Sequence, residues 1–170
     1  ERVVERVAQT AFGEFRMVAY CDKPSGAPHI ALVRGQISPD TETLVRVHEP
    51  LTVLDLIETQ AGTHSWTVHR ALEAVAHHGS GVVVLLNCAS GGAELLEQVK
   101  TLAQFDQNEQ ARAQAAERTV KVDLRTYGIG AQILKDLGVG RMRLLSNPRK
   151  MPSMTGYHLA VSGYESEGQL

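Results

Sequence analysis

Asp123 and Arg125 open an apolar-periodic segment, and each admits two readings. Asp123 is placed to cap a helix, since a carboxylate there accepts backbone N–H groups that have no partner within the helix. A functional carboxylate at a site is the alternative. Arg125 falls in the first helical turn, where the helix dipole favours acids rather than bases. Local conflicts of that kind concentrate at functional positions. His48, Asp55, His64 and His69 are metal-ligating types. His64 and His69 are five residues apart, however, whereas one helical face needs three or four. They read better as solvated or core-edge histidines than as zinc ligands. Cys88 ends an apolar run with no base near it in sequence, and reads as a small buried hydrophobe rather than a nucleophile. Gly91-Gly92 precede a helical pattern as a phosphate cradle would. Neither G-x-x-x-x-G-K nor G-x-G-x-x-G surrounds them, so a loop-to-helix turn is the simpler reading.

The elements that must position these groups change in kind along the chain. Phe15, Met17 and Ala19 alternate with Arg16 and Val18, and the Pro- and Gly-bearing stretch Asp22 to Pro28 breaks the run. His29–Ile37 and Thr43–His48 are further strands, with Arg46 and His48 on one face and Val45 and Val47 on the other. Val68, Leu72 and Val75 then recur at helical spacing, predicting a helix over 65–78, capped by Ser65 or Thr63 and stopped by Gly79. Trp66 at its start is a core or interface anchor. Val82–Leu86 suits a strand buried on both faces. Leu95, Val99 and Leu102 mark a helix from about Gly92, and 104–118 either continues it or forms a surface loop. Ile129, Ile133 and Leu137 share one face of a helix that follows Asp123 and stops at Gly138. Arg141–Leu145 is a strand, Asn147-Pro148 a turn, and Tyr157–Tyr164 a last strand. The expected class is α/β, a mixed β-sheet with an antiparallel strand-rich N-terminal part and alternating helices and strands after it.

Composition bounds the function. The chain has 170 residues, the length of one ordinary domain, with 43% hydrophobic content. Its 17 basic and 19 acidic residues give a net charge of −2, with no electrostatic footprint for nucleic acid. The longest wholly apolar run, Val82–Leu86, is far short of the roughly 20 residues needed to span a bilayer. The N-terminus lacks a signal peptide's apolar core. With 2 cysteines, neither a disulfide framework nor a cysteine-rich zinc site can be built. A cytoplasmic setting is expected.

The order of segments resembles the GTP cyclohydrolase II domains of riboflavin biosynthesis over nearly the whole chain. Thr10-Ala11-Phe12-Gly13-Glu14-Phe15 is similar to the family's T-x-x-G-x-F, followed by His29–Gly35 and the strand Val45-Arg46-Val47-His48. The similarity is strongest over Asp123–Leu134, with Leu137-Gly138-Val139 and Arg143–Lys150 after it. That family converts GTP to formate, pyrophosphate and a diaminopyrimidine with zinc and magnesium. The resemblance implies that Asp123 and Arg125 match a D-x-R whose arginine attacks the α-phosphate. It further implies that Arg46 matches an arginine of the GTP site and Lys150 a phosphate-contacting lysine. Arginine forks hold phosphate oxygens bidentately.

Two of the family's chemical blocks are missing. Its zinc is held by cysteines in a C-x10-C-x-C pattern just after the V-R-V-H strand. Here that pattern falls on Pro50 or Leu51 and at or near Gly62 and His64, with no cysteine in the segment. The family's R-Q-E-G-R-G-I-G-L after the central strand is replaced by Asn87-Cys88-Ala89-Ser90-Gly91-Gly92. Without the metal no activated water is delivered. The expectation is a single domain over 1–170 that has lost the hydrolase chemistry, needs no cofactor and forms a homodimer. By resemblance it is the C-terminal part of a longer protein with an upstream 3,4-dihydroxy-2-butanone 4-phosphate synthase domain. Two alternatives stay open: an active enzyme with atypical ligands among His48, His64, Asp55 and Cys88, or a module that binds GTP or a phosphorylated metabolite.

Overall fold

The computed structural model describes residues 1–49, 52–57, 65–89, 124–148 and 152–167, with isolated positions at 96, 99 and 100. Seven strands among them form one sheet. They are β1 (Arg2–Thr10), β2 (Gly13–Cys21), β3 (Pro28–Arg34), β4 (Glu42–His48), β5 (Gly81–Leu85), β6 (Arg141–Leu145) and β7 (Ala160–Glu165), in the order β1-β2-β3-β5-β4-β6-β7. Neighbours from β1 to β5 run antiparallel, while β5, β4, β6 and β7 are parallel. The mixed sheet expected from the sequence is therefore present.

β5 is the middle strand, and all five of its residues are buried. Its Val82 and Val84 face one side and its Val83 and Leu85 the other, so both faces need cover. Helix α1 is a single turn (Leu54–Ile57), and α2 spans Val68–His78. The stripe Val68, Ala71, Leu72 and Val75 of α2 packs on Phe15, Leu32, Leu44, Val83 and Leu85. On the opposite face α3 (Leu124–Asp136) sets Ala131, Ile133 and Leu134 against Val45, Val82 and Val84. Each helix buries an apolar stripe at helical spacing, which supplies most of a helix's stability in a protein.

Several boundaries differ from the sequence reading. α2 begins at Val68, and its cap is Thr67, whose hydroxyl accepts from the Arg70 N–H at 3.1 Å. Ser65 is not the cap, and Thr63 lies outside the described residues. Gly79 does stop the helix, in the left-handed conformation with φ 87°, where a Cβ would be costly. β2 carries core residues on both faces in place of simple alternation: Phe15 and Met17 lie on the α2 side, Val18 and Tyr20 on the α3 side. Tyr157 belongs to a 3-10 turn (Thr155–Tyr157), and the last strand starts only at Ala160. β1 belongs to the strand-rich N-terminal part expected from the sequence, although its residues are mostly exposed and show no clear apolar period. Leu96, Val99 and Lys100 have helical backbone, but Leu95, Leu102 and the whole of 104–118 lie outside the described residues.

α3 is also tied down at its C-terminal end. Asp136 accepts from the Tyr20 hydroxyl at 2.7 Å and from Arg2 Nη2 at 2.7 Å. Burial works against its charge, but these bonds still hold its carboxyl below the ordinary range. Leu134, 1% exposed, lies in the middle of this helix–sheet contact. Leu134→Ala is expected to cost about 2–5 kcal/mol in urea unfolding, the usual range for a leucine truncated in a packed core.

Candidate functional site

The loops leaving the carboxyl ends of β4 and β5 mark where this topology concentrates its chemistry. β4 is followed by α2 on one face, whereas α3, after β5, lies on the other. Adjacent parallel strands whose following helices diverge in this way leave a crevice beyond their carboxyl ends. Glu49 and Asn87 stand there. Asn87 is one of two described non-glycine residues with positive φ, at 53°, a conformation that asparagine tolerates better than most. Its side-chain amide donates to Glu49 Oε1, and Thr126 Oγ1 of α3 donates to the same oxygen at 3.0 Å. Glu49 thus joins β4, the end of β5 and the start of α3.

His29 supports the turn from below. Its Nδ1 accepts from the Asn87 N–H at 3.1 Å, which places the ring proton on Nε2. The ring is 1% exposed, and Nε2 has no hydrogen-bond partner among the described residues. Burial pushes the His29 pKa below its ordinary value, partly offset by the nearby Asp22 carboxylate. Asp22 itself accepts from Ser25 Oγ at 2.5 Å and from Arg125 Nη2 at 2.7 Å. The Ser25 bond first, and Arg125 after it, hold the Asp22 carboxyl below the usual range.

Of the site residues expected from the sequence, the two that are described, Arg46 and Arg125, lie on opposite faces of the sheet. Asp123 and Lys150 lie outside the described residues, as does His64. Arg125 is at the start of α3, with its guanidinium paired to Asp22. Arg46 faces the other side of the sheet. It is 5% exposed, and its Nη1 donates to the Leu145 carbonyl at 2.9 Å and its Nη2 to the Trp66 carbonyl at 3.1 Å. Trp66 in turn donates through Nε1 to the Glu165 carbonyl at 2.8 Å, as a buried indole requires. The guanidinium fork therefore ties β4 to the end of β6 and to the segment entering α2.

Zinc was tested against the donors present. His48 Nε2 meets Asp55 Oδ1 at 2.8 Å, while Asp55 Oδ2 accepts from the Thr52 N–H at 2.7 Å. The Thr52 hydroxyl lies 3.2 Å from the same oxygen, so the carboxylate is committed to the residues that enter α1. Cys88 packs beside the α2-side core, bonds the Leu85 carbonyl, and has its thiol pKa raised by burial, the opposite of a metal-ready thiolate. Among the described residues no three His, Cys, Asp or Glu side chains form a group that could hold a metal. The described donors do not fit a zinc ion.

Glu49, Asn87, Thr126, Asp22 and His29 were not singled out from the sequence. Asn87 carried a usable signal, being an asparagine directly after a buried strand. Glu49 and Thr126 carried none, since only the fold brings them within bonding distance.

Two outcomes follow from this geometry. Arg46→Lys is expected to cost about 2–4 kcal/mol in urea unfolding. An ammonium lacks the fork, and each buried carbonyl left unpaired costs roughly 1–3 kcal/mol. The second concerns acid. His29 is held neutral in the fold, so the unfolded chain takes up the proton first as pH falls through the ordinary histidine value of 6.5. Stability should decline below that pH. Urea midpoints measured from pH 7.5 to 5.5 should fall less steeply in His29→Gln than in the parent.

Comparison with known proteins places the chain. The sequence model of the family described as GTP cyclohydrolase II matches residues 1–166. A 3,4-dihydroxy-2-butanone 4-phosphate synthase of Neisseria meningitidis serogroup A is 45% identical over 157 residues, covering 92% of this chain and 40% of the relative. A protein of the same name from Pseudomonas aeruginosa is 39% identical over 169 residues, 96% of this chain and 44% of the relative. The riboflavin biosynthesis protein RibBA of Chlorobium phaeovibrioides is 37% identical over 162 residues, 95% of this chain and 40% of the relative. Among solved structures, RibBX, a two-domain 3,4-dihydroxy-2-butanone 4-phosphate synthase from A. baumannii, superposes with a TM-score of 0.59 at 26% identity. The match covers 98% of this chain and 40% of that one. The chain spans about two-fifths of the length of these relatives. No helix among the described residues is long and apolar enough to cross a membrane.

Proposed function

The chain belongs to the GTP cyclohydrolase II family, and from that membership we propose that it is a riboflavin-biosynthesis domain that no longer hydrolyses GTP. Its role in this reading is that of a dimerisation or regulatory module of a 3,4-dihydroxy-2-butanone 4-phosphate synthase. One observation carries the loss of hydrolysis: the sequence has no cysteine between Cys21 and Cys88, so the thiolate set that holds the family's zinc cannot form. Attack on the guanine ring needs a water activated by a metal with an open coordination position. The arginines point the same way. Arg46 spends its fork on two backbone carbonyls, and Arg125 is paired with Asp22. The regulatory role rests on the relatives, which carry the synthase name and are much longer than this chain.

A second reading keeps binding without turnover. The Arg125 side chain is 59% exposed despite its ion pair, and a phosphorylated metabolite with two oxygens to offer could compete with Asp22 for it.

The test is purified chain with GTP, magnesium and added zinc, followed for formate and for the diaminopyrimidine. No product is expected, and no zinc should remain on the protein after dialysis. Product that depends on the chain and disappears in Asp123→Ala would sink the reading and establish an unconventional metal site. Heat on titration with GTP that vanishes in Arg125→Ala, with no formate released, would select the binding module.

A further inference from the structure

Two features meet at the peptide that joins Leu86 to Asn87. Its N–H donates to His29 Nδ1 at 3.1 Å, a bond that exists only while Nδ1 keeps its lone pair. Beyond it, Asn87 is held at φ 53°, in the left-handed region that a Cβ disfavours. The neutral ring already carries its proton on Nε2, so a second proton can enter only at Nδ1, where it meets another donor. Turning the ring over gives no relief, because both nitrogens of an imidazolium are donors. We propose that the Leu86–Asn87 peptide is a proton-driven switch: it flips when His29 takes up a proton, and its carbonyl then accepts from Nδ1 where its N–H donated before.

The N–H and C=O of a trans peptide point in opposite directions, so rotating its plane exchanges them while the flanking Cα atoms stay in place. The rotation carries φ of Asn87 from 53° to about −127°, an ordinary extended value. Donor facing donor becomes donor facing acceptor, and Asn87 leaves the left-handed region in the same movement. With the ring neutral the balance reverses, because a flipped carbonyl would face the Nδ1 lone pair. The neighbouring peptides confine the motion: the Leu86 N–H donates to the His48 carbonyl at 2.9 Å and the Cys88 N–H to the Pro28 carbonyl at 3.1 Å.

The groups around His29 set where the switch falls. Burial opposes the imidazolium most, Asp22 on the β2–β3 turn favours it, and the N-terminal ammonium of Glu1 opposes it, so the midpoint lies below 6.5. From α3 the facing charge is Arg125, paired with Asp22. Glu49, after β4, stands on the far side of Asn87. On β2, Tyr20 is the register partner of His29, and burial and Asp136 keep its hydroxyl protonated. After β5, burial keeps the Cys88 thiol protonated. The inference concerns the backbone at the end of β5 and holds whether or not the chain turns over GTP.

The experiment is NMR on the 170-residue chain from pH 7.5 down to about 5, the range in which histidines titrate. Ring nitrogen shifts of His29 report its protonation. The three-bond HN–Hα coupling of Asn87 reports φ and is larger in the flipped state. The two should titrate on one curve, and the coupling should stay constant in His29→Gln. Asn87→Gly and Asn87→Ala both remove the side-chain amide, but only alanine is penalised in the left-handed region. Alanine therefore destabilises the unflipped, proton-free state, and its His29 midpoint should lie about one pH unit above that of the glycine variant. Titration of His29 without change at Asn87, a change at Asn87 that persists in His29→Gln, or equal midpoints in the two Asn87 variants would each overturn the inference. So would a ring that stays neutral until the whole sheet unfolds.

Discussion

β5 has no side that can face water, and the rest of the architecture answers that constraint. A strand whose alternate valines point both ways is stable only with an apolar layer on each face. α2 supplies one layer and α3 the other. Because the covering helices lie on opposite faces, the carboxyl ends of β4 and β5 are left as a place where polar side chains of the described residues converge without breaking the core. The position of the candidate site is thus a consequence of burying Val82, Val83 and Val84.

Arg46 is a buried cation inside that apolar frame, which also holds the buried His29 and His48, and its environment shows how the charge is tolerated. A buried guanidinium is costly unless its donors are met. Here the fork reaches carbonyls at the end of β6 and before α2, both groups that sheet and helix leave available. The charge thereby becomes a cross-tie between parallel strands and the α2 layer. Trp66 extends the tie to the end of β7 through its indole N–H.

The polar cluster on the α3 side has a different character. Glu49 receives two donors, Asp22 receives two, and His29 serves as the acceptor beneath the Asn87 turn. These groups answer one another across the ends of five elements. A network of this kind orders a turn held at positive φ, and it leaves Arg125 less disposed to recruit an anion than an arginine facing open solvent. Its chemistry is that of a locked joint between β2, β3, β4, β5 and α3.

The sequence by itself determined the class of the fold, because its signals are periodic: the valine run of β5, the helical spacing of Val68, Leu72 and Val75, and the glycine at 79. It also determined that a three-cysteine zinc site cannot exist, since composition alone limits the ligands. Tertiary structure decided what the polar residues do. Arg46 and Arg125 look alike in sequence, yet one is buried against backbone carbonyls and the other sits at a helix start beside Asp22. Thr67 rather than Ser65 caps α2. Glu49, Asn87 and Thr126 are far apart in the chain, and so are His29 and Asn87. Hydrogen bonds between such residues leave no local period to read, because the distance that matters is set by the pairing of strands and not by spacing along the chain.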